Sequence, residues 1–169
     1  MTVVAVIITA IVGAVAFLPR SSNAVPLPSY LDRCVTGSLI YHSHPNLVIN
    51  INGAGYTIPT NIGSEGGCHR SLHTHDATGT IHVETDQDRD YTLGDFFLIW
   101  GNWANDANLA IFNSTQIFTN RVNAAHTLTV TVNGRPDQLF NNIILPRNAG
   151  ESTPFNIVIT YGPADTQVV

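Results

Sequence analysis

The chain has 169 residues, of which 11% are charged, and its formal net charge at pH 7 is −5. This length is typical of one domain with a core large enough to fold unaided. The seven basic residues are all arginines and are outnumbered by acidic ones. The composition therefore does not favour the basic face that nucleic-acid binding requires, and no nucleic-acid partner is expected.

The N-terminal segment 1–18 is almost wholly apolar, and the first charged residue is Arg20. As a helix it would be about 27 Å long, which is near the thickness of a bilayer core. We predict a single-pass N-terminal transmembrane helix over residues 1–18, a linker over 19–29 and a β-rich domain over 30–169. A cleaved signal peptide is the alternative, because residues 22–24 suit a signal peptidase.

The cysteine pair indicates which side of the cell membrane the domain faces. Cys34 and Cys68 are an even pair behind an export-type segment, which predicts a disulfide and an oxidising compartment. The glycosylation sequon at Asn113 agrees, because N-glycosylation requires the same exposure. We therefore expect an extracytoplasmic domain. In the open alternative, Cys68 is a thiolate ligand in a copper-type centre near His73.

A first pair of histidines at alternate positions is His42 and His44. A strand that carries this pair either supplies ligands to the same centre as the later histidines or forms a separate site. His69 and His126 are interpreted as incidental. Sites rich in imidazole with one carboxylate suit zinc, copper, nickel or iron, and a copper or zinc ion is the leading expectation.

Three further imidazoles and a carboxylate alternate on either side of a glycine turn. If residues 76–79 form an even-numbered turn, His73 faces His82, with His75 and Glu84 on its diagonals. Opposed Cβ atoms lie roughly 5 Å apart and alternate residues share a face, so these four side chains converge as metal ligands. A register slip of one residue would separate them. The alternative is a solvated polar hairpin.

Several segments alternate apolar and polar residues as half-buried strands do. The predicted strands cover residues 46–51, 56–58, 128–132 and 155–161. The pairs Asn52-Gly53 and Asn133-Gly134 follow two of these strands and are strong hairpin signals. Gly162 is expected to close the last strand.

One helix is predicted among the strands. Thr92 and Asp95 resemble a capping box, and Gly101 is expected to end the helix. Its apolar stripe, at the spacing of one helix face, consists of Leu93, Phe96, Phe97 and Trp100. The preceding run 84–90 holds four carboxylates around Arg89 and is interpreted as a solvated loop, with a calcium site as the alternative.

Five motifs resemble a largely uncharacterised family of exported or membrane-anchored archaeal and bacterial proteins. They read YHSH, IPTNIG, HTHD, GTIHVE and YTLGDFFLIW, at residues 41–44, 58–63, 73–76, 79–84 and 91–100. The resemblance covers roughly two thirds of the chain. It implies an anchored β-rich domain and implies no particular reaction.

Together these patterns predict an α+β fold that is mainly β, with antiparallel hairpins packed on one amphipathic helix. The expected function is an outward-facing, membrane-anchored metal-binding domain, an accessory subunit beside other membrane-protein subunits. An alternative is a mononuclear metal-dependent hydrolase or oxygenase, with Glu84 as general base or fourth ligand. A third alternative is a surface filament subunit that self-assembles through its apolar N-terminal helix.

Overall fold

The protein is described by a computed structural model that covers residues 24–164. The predicted membrane anchor lies outside these residues. Within them, no helix has the length and apolar character needed to cross a bilayer. The described elements are β1 Tyr41–Ser43, β2 Asn46–Ile51, β3 Ala54–Tyr56, β4 Ser64–Glu65, β5 Cys68–His69, β6 Leu72–His73, β7 His82–Thr85, β8 Tyr91–Thr92, α1 Leu93–Trp103, β9 Phe112–Asn113, β10 Gln116–Ile117, β11 Asn120–Arg121, β12 His126–Val132, β13 Arg135–Pro136, β14 Ile144–Leu145 and β15 Asn156–Pro163. The expected α+β, mainly β class is confirmed.

A five-stranded sheet in the order β13-β12-β15-β2-β3, called the large sheet, forms the frame of the domain. Its strands alternate as predicted, with Leu47 and Ile49 of β2 and Ile157 and Ile159 of β15 buried. The expected antiparallel hairpins are confirmed, and the structure adds one parallel pair, β15 with β2. That pair joins residues far apart in the chain, so local hairpin signals do not predict it.

Both Asn-Gly hairpin signals are confirmed. Asn52 and Gly53 have φ values of 53° and 80°, and Asn133 and Gly134 have 50° and 77°. Positive φ at both central positions is the backbone of a two-residue turn that matches the twist of the strands it joins. The return strand after Asn52-Gly53 is Ala54–Tyr56, earlier than predicted, because the turn leads into it directly.

Helix α1 packs its predicted apolar stripe into the core. The four stripe residues Leu93, Phe96, Phe97 and Trp100 are fully buried. The capping box is confirmed, since the Asp95 amide donates to the Thr92 hydroxyl and the Thr92 amide donates to the Asp95 carboxylate. These two bonds satisfy amides that the first turn of a helix leaves free.

The predicted end of α1 at Gly101 is wrong, because the helix continues to Trp103. A Cβ at Gly101 would lie 2.6 Å from the Cβ of Ala110, which sits in a following 3-10 turn. The glycine therefore lies inside the helix and permits the 3-10 turn to pack closely against it. The side-chain amide of Asn102 donates to the carbonyl of Val25, so part of the predicted linker contacts the helix.

A second sheet of three short strands, in the order β1-β7-β6, is called the small sheet. Its inner face is completely buried through Ser43, Leu72, Val83 and Thr85. Alternate residues point to opposite faces of a strand, so the neighbours of these four lie on the outer face. The small sheet thus has a buried core side and an outer side whose exposure ranges from the fully buried His73 to the exposed His42.

The acidic run after β7 is tied to distant arginines. Arg33 forms a salt bridge of 2.8 Å with Asp86, whose side chain is only 10% exposed. Arg147 binds the more exposed Asp88 and Asp90 at 2.6 and 2.8 Å. The prediction of a solvated loop therefore fits Asp88 and Asp90, whereas Asp86 is held against the domain.

Candidate metal centre

The outer face of the small sheet carries four side chains of the ligand type. His42 lies directly opposite Glu84 in the β1–β7 pair, and His73 lies directly opposite His82 in the β6–β7 pair. His82 and Glu84 alternate along β7, so all four share one face. The predicted register between His73 and His82 is confirmed. The structure adds β1 beside β7, which brings the first histidine pair to the second.

His75 reaches this face from a loop. The connection between β6 and β7 is wider than the turn predicted at residues 76–79, because strand pairing already stops at His73 and His82. In place of a tight hairpin, the carbonyl of Gly79 accepts a 2.9 Å bond from the amide of Leu47 on β2. The loop is thus anchored to the large sheet, and the His75 ring packs edge-on against His82 at a centroid distance of 4.3 Å.

His44 follows the end of β1 and packs on the other flank of His82. Its ring lies edge-on to His82 with centroids 4.5 Å apart, and its amide donates to the carbonyl of Ala149. Its Nε2 lies 2.7 Å from Nε2 of His42. Burial lowers the pKa of His44, and the neighbouring His42 adds to this effect.

We call the six neighbouring rings and the carboxylate the imidazole cluster. Its members are His42, His44, His69, His73, His75, His82 and Glu84. Two groups within it bring their donor atoms within 4.8 Å of one another and can hold a metal ion. The first group is His73, His75, His82 and Glu84, and the second is His42, His44 and His82.

The geometry of the first group is close to what a metal ion requires. Nitrogens bound at about 2.0–2.1 Å to a tetrahedral zinc ion lie about 3.3 Å apart. The Nε2 atoms of His73 and His75 are 3.3 Å apart, and His82 Nδ1 is 3.7 Å from Glu84 Oε1. All four donor atoms lie within 4.8 Å of one another, so the wider pairs would have to move closer for one tetrahedral ion to bind all four.

The backbone holds the His73 ring in the tautomer that binds metal through Nε2. Its Nδ1 lies 2.9 Å from the carbonyl oxygen of Arg70, and a carbonyl only accepts, so Nδ1 carries the proton. The lone pair of the neutral ring is then on Nε2, which faces His75. Burial lowers the pKa of His73, which favours the neutral form. Such outer hydrogen bonds orient metal-binding histidines in general.

His82 has a buried ring nitrogen that lacks a hydrogen bond. In the part of the chain that the structure describes, Nδ1 of His82 is one of a few buried polar atoms without such a partner. Burial, together with His75, His44 and His73, lowers the pKa of His82 to about 4. The ring is therefore neutral at physiological pH. A neutral imidazole with an unpaired buried nitrogen fits a metal ligand, because a bond to an ion would offset the cost of burial.

Other predicted site residues fall outside the two ligand groups. Cys34 and Cys68 form a disulfide, as expected, so the alternative of a Cys68 thiolate ligand is excluded. Asn113 is half-buried on β9, where its side-chain oxygen accepts bonds from the amide and hydroxyl of Thr115. Its glycosylation stays a prediction. His126 opens β12 and stacks on Tyr161.

His69 lies nearer to the centre than its sequence position indicates. Its ring centroid is 5.3 Å from that of His73 and 6.1 Å from that of His75. Its Nδ1 is 2.9 Å from the hydroxyl of Ser64. The hairpin β4–β5, which also carries the disulfide, brings His69 to the rim of the imidazole cluster. Spacing along the chain holds no signal for this placement.

The chain matches no known family model, no curated protein and no solved structure in three separate comparisons. The resemblance to exported or membrane-anchored archaeal and bacterial proteins stays a prediction. The proposal of a metal site therefore rests on the residues of the imidazole cluster alone.

Proposed function

We propose that this protein is a membrane-anchored, outward-facing domain that binds a copper or zinc ion through His73, His75 and His82, with Glu84 as the fourth ligand. One observation carries the proposal: four donors of ligand type converge within 4.8 Å on one sheet face. Two features support it. The Arg70 carbonyl orients His73 for binding through Nε2, and His82 holds a buried unpaired nitrogen.

The ligand chemistry favours copper or zinc. Three neutral imidazoles with one carboxylate form a nitrogen-rich set that suits these ions better than calcium or magnesium, which prefer oxygen ligands. Both cysteines are bonded to each other, which leaves imidazole and carboxylate as the donor types in the cluster. Zinc in particular accepts four such ligands in a tetrahedral arrangement.

The proposed location rests on different observations from the proposed site. The apolar segment 1–18 has the length of a membrane span, and the disulfide fits an oxidising compartment. We propose that the domain serves as an accessory subunit of a larger membrane complex or of an assembly of its own copies. N-terminal sequencing of the native protein tests whether the apolar segment stays attached, as this proposal requires. A chain that starts at Met1 fits the anchor, whereas a start at Val25 would refute it.

The test of the metal site uses the full chain and its double variant His73→Ala/His75→Ala. Elemental analysis after gel filtration should show that the variant has lost one tightly bound equivalent of zinc or copper per chain. His126→Ala is the matched control, because this histidine stacks on Tyr161 away from the cluster and its removal should leave the metal content unchanged. Circular dichroism checks the fold of each variant. Unchanged metal binding in the double variant would refute the site.

A metal-dependent hydrolase or oxygenase is the second candidate, because a cavity adjoins the cluster. This cavity is an open surface depression of about 350 Å³ and is lined by His44, Thr80, His82, Gly150 and Glu151. A catalytic ion needs a coordination position open to solvent or substrate. Azide added to the cobalt-substituted protein tests for such a position. A changed visible spectrum would favour the enzyme, and an unchanged spectrum would favour a purely structural or carrier site.

A further inference from the structure

The second ligand group consists of His42, His44 and His82 and shares His82 with the first group. His42 and His44 extend from β1, and their Nε2 atoms are 2.7 Å apart. Glu84 Oε1 lies 2.9 Å from His42 Nε2, which adds a carboxylate to this pair. We propose that the imidazole cluster holds two metal ions, the second bound by His42 and His44 and joined to the first through Glu84. This proposal rests on the proposed first site.

A single ion cannot use all the available donors. With bonds of about 2.0–2.1 Å, two ligand atoms of one ion lie at most about 4.2 Å apart, and zinc takes four ligands. The two groups together offer five imidazoles and one carboxylate. Once His73, His75, His82 and Glu84 hold the first ion, the pair on β1 remains with its nitrogens directed at each other. A second ion bound by this pair would widen the separation of the two nitrogens from 2.7 Å to about 3.3 Å, the separation at a tetrahedral ion.

The two ions would be near neighbours because His82 belongs to both groups. Its ring packs edge-on against His75 on one flank and His44 on the other, at interplanar angles of 73° and 74°. The side chains on the second flank are accessible, with the His42 side chain 44% exposed. The second ion can therefore enter from solvent while the first, beside the fully buried His73, is already in place.

Glu84 is placed to bridge the two ions. Its Oε1 lies 2.9 Å from His42 in the second group and 3.7 Å from His82 Nδ1 in the first. Both contacts are made by Oε1, and a carboxylate can bind two cations at once through one oxygen or through both, while its negative charge reduces the repulsion between them. Glu151, which lines the adjoining cavity with His44 and His82, adds a second negative charge nearby.

The first experiment counts bound zinc ions with the full chain and Zn²⁺ alone, by calorimetric titration and elemental analysis. We expect two equivalents for the wild type and for His126→Ala, and one for His42→Ala/His44→Ala. One equivalent in the wild type, retained in His42→Ala/His44→Ala, would overturn the second ion and leave the proposed function intact. No binding in the wild type would overturn both. If the alanine variant does not fold, His42→Gln/His44→Gln takes its place.

The second experiment tests the bridge with Cu²⁺ and electron paramagnetic resonance. Two Cu²⁺ ions close together should give a spin-coupled spectrum in the wild type, and His42→Ala/His44→Ala should give the spectrum of an isolated ion. Glu84→Gln keeps the shape of the side chain and removes its charge, so it should weaken binding of the second equivalent at least about ten-fold. A wild-type spectrum of isolated ions at two equivalents, or unchanged affinity in Glu84→Gln, would overturn the bridge.

Discussion

The large sheet and the small sheet follow the same alternation but carry different chemistry on their outer faces. In both, one face is buried apolar or hydrogen-bonded surface. The outer face of β2 in the large sheet shows Val48 and Asn50, whereas the outer face of the small sheet shows imidazoles and a carboxylate. Folding requires only that the residues on the inner face of each sheet pack into the core. On the small sheet His73 is buried and hydrogen-bonded to the Arg70 carbonyl, whereas the exposed His42 has no such role in the core.

The two sheets also differ in the length of their strands and in the extent of strand pairing. In the large sheet, β12 and β15 have seven and eight residues and pair along their length. In the small sheet, β1, β7 and β6 have three, four and two residues. Such short strands depend on their surroundings, here the anchored loop at Gly79 and the nearby disulfide. We therefore expect changes in the long strands of the large sheet to affect mainly stability, and changes in the small sheet to affect mainly the proposed metal site.

The largest expected loss of stability comes from the centre of the large sheet. Ile159 is fully buried on β15, between β12 and β2. Ile159→Ala should lower the free energy of unfolding by about 4 kcal/mol, through lost burial and the cavity left behind. Val48→Ala, on the exposed face of β2, is the control and should cost less than about 1 kcal/mol. Denaturant titration measures both. A change in metal stoichiometry of the folded Ile159→Ala protein would contradict the separation of the two sheets.

Removal of the disulfide should have the next largest effect. Cys34 and Cys68 are 34 residues apart, and a bridge of this span restricts the unfolded chain. On that entropic account, Cys34→Ser/Cys68→Ser should lower the free energy of unfolding by about 3.8 kcal/mol. Mass spectrometry without reductant should first show that the native protein is lighter than the reduced chain by two hydrogen atoms. Two alkylatable thiols in native protein would rule the bridge out.

The anchored loop of the small sheet can be tested with two glycines that share a positive φ. Gly79 has φ of 86°, and a Cβ there would collide with the carbonyl oxygen of Leu47. Gly53 has φ of 80° with open space around it. Gly79→Ala should cost about 2 kcal/mol, from strain and collision, and Gly53→Ala about 1 kcal/mol, from strain alone. Only Gly79→Ala should also weaken zinc binding, because its loop carries His75. Equal effects of the two variants on zinc affinity would contradict this.

The smallest expected effect is a pH dependence of stability that arises from the ion pair between Arg33 and Asp86. Burial raises the pKa of Asp86. The hydrogen bonds from the amides of Gly37 and Thr36 and from the guanidinium of Arg33 together lower the pKa by more, so it lies below its ordinary value. The stabilisation from Asp86 is therefore complete above the ordinary pKa of about 4 and is lost as the pH falls through the lower folded value.

Asp86→Asn tests this dependence by denaturant titration at pH 7 and pH 3. The variant should lose less stability than the wild type between these two pH values, because it has no carboxylate to protonate at position 86. Glu65→Gln, an exposed acid on β4, is the control and should behave as the wild type does. The same loss of stability in Asp86→Asn and wild type would show that Asp86 does not contribute.

Local rules predicted much of the structure because they depend on neighbouring residues. Alternation predicted β2, β12 and β15, and the Asn-Gly pairs predicted two turns with positive φ. The capping box placed the start of α1 correctly. The end of α1 was not predictable, because Gly101 is required by contact with Ala110, a residue outside the helix. The parallel pairing of β2 with β15 likewise joins distant segments.

For the candidate site, the sequence by itself determined which residues on β6 and β7 share a face, because strand alternation and the register from His73 to His82 are local properties. Tertiary structure alone decided that β1 lies on the other side of β7 and that the hairpin β4–β5 brings in His69. These placements arise from contacts between segments far apart in the chain, for which local spacing carries no information. The first ligand group could therefore be predicted from the sequence, whereas the position of His42 and His44 beside it depends on contacts between distant segments.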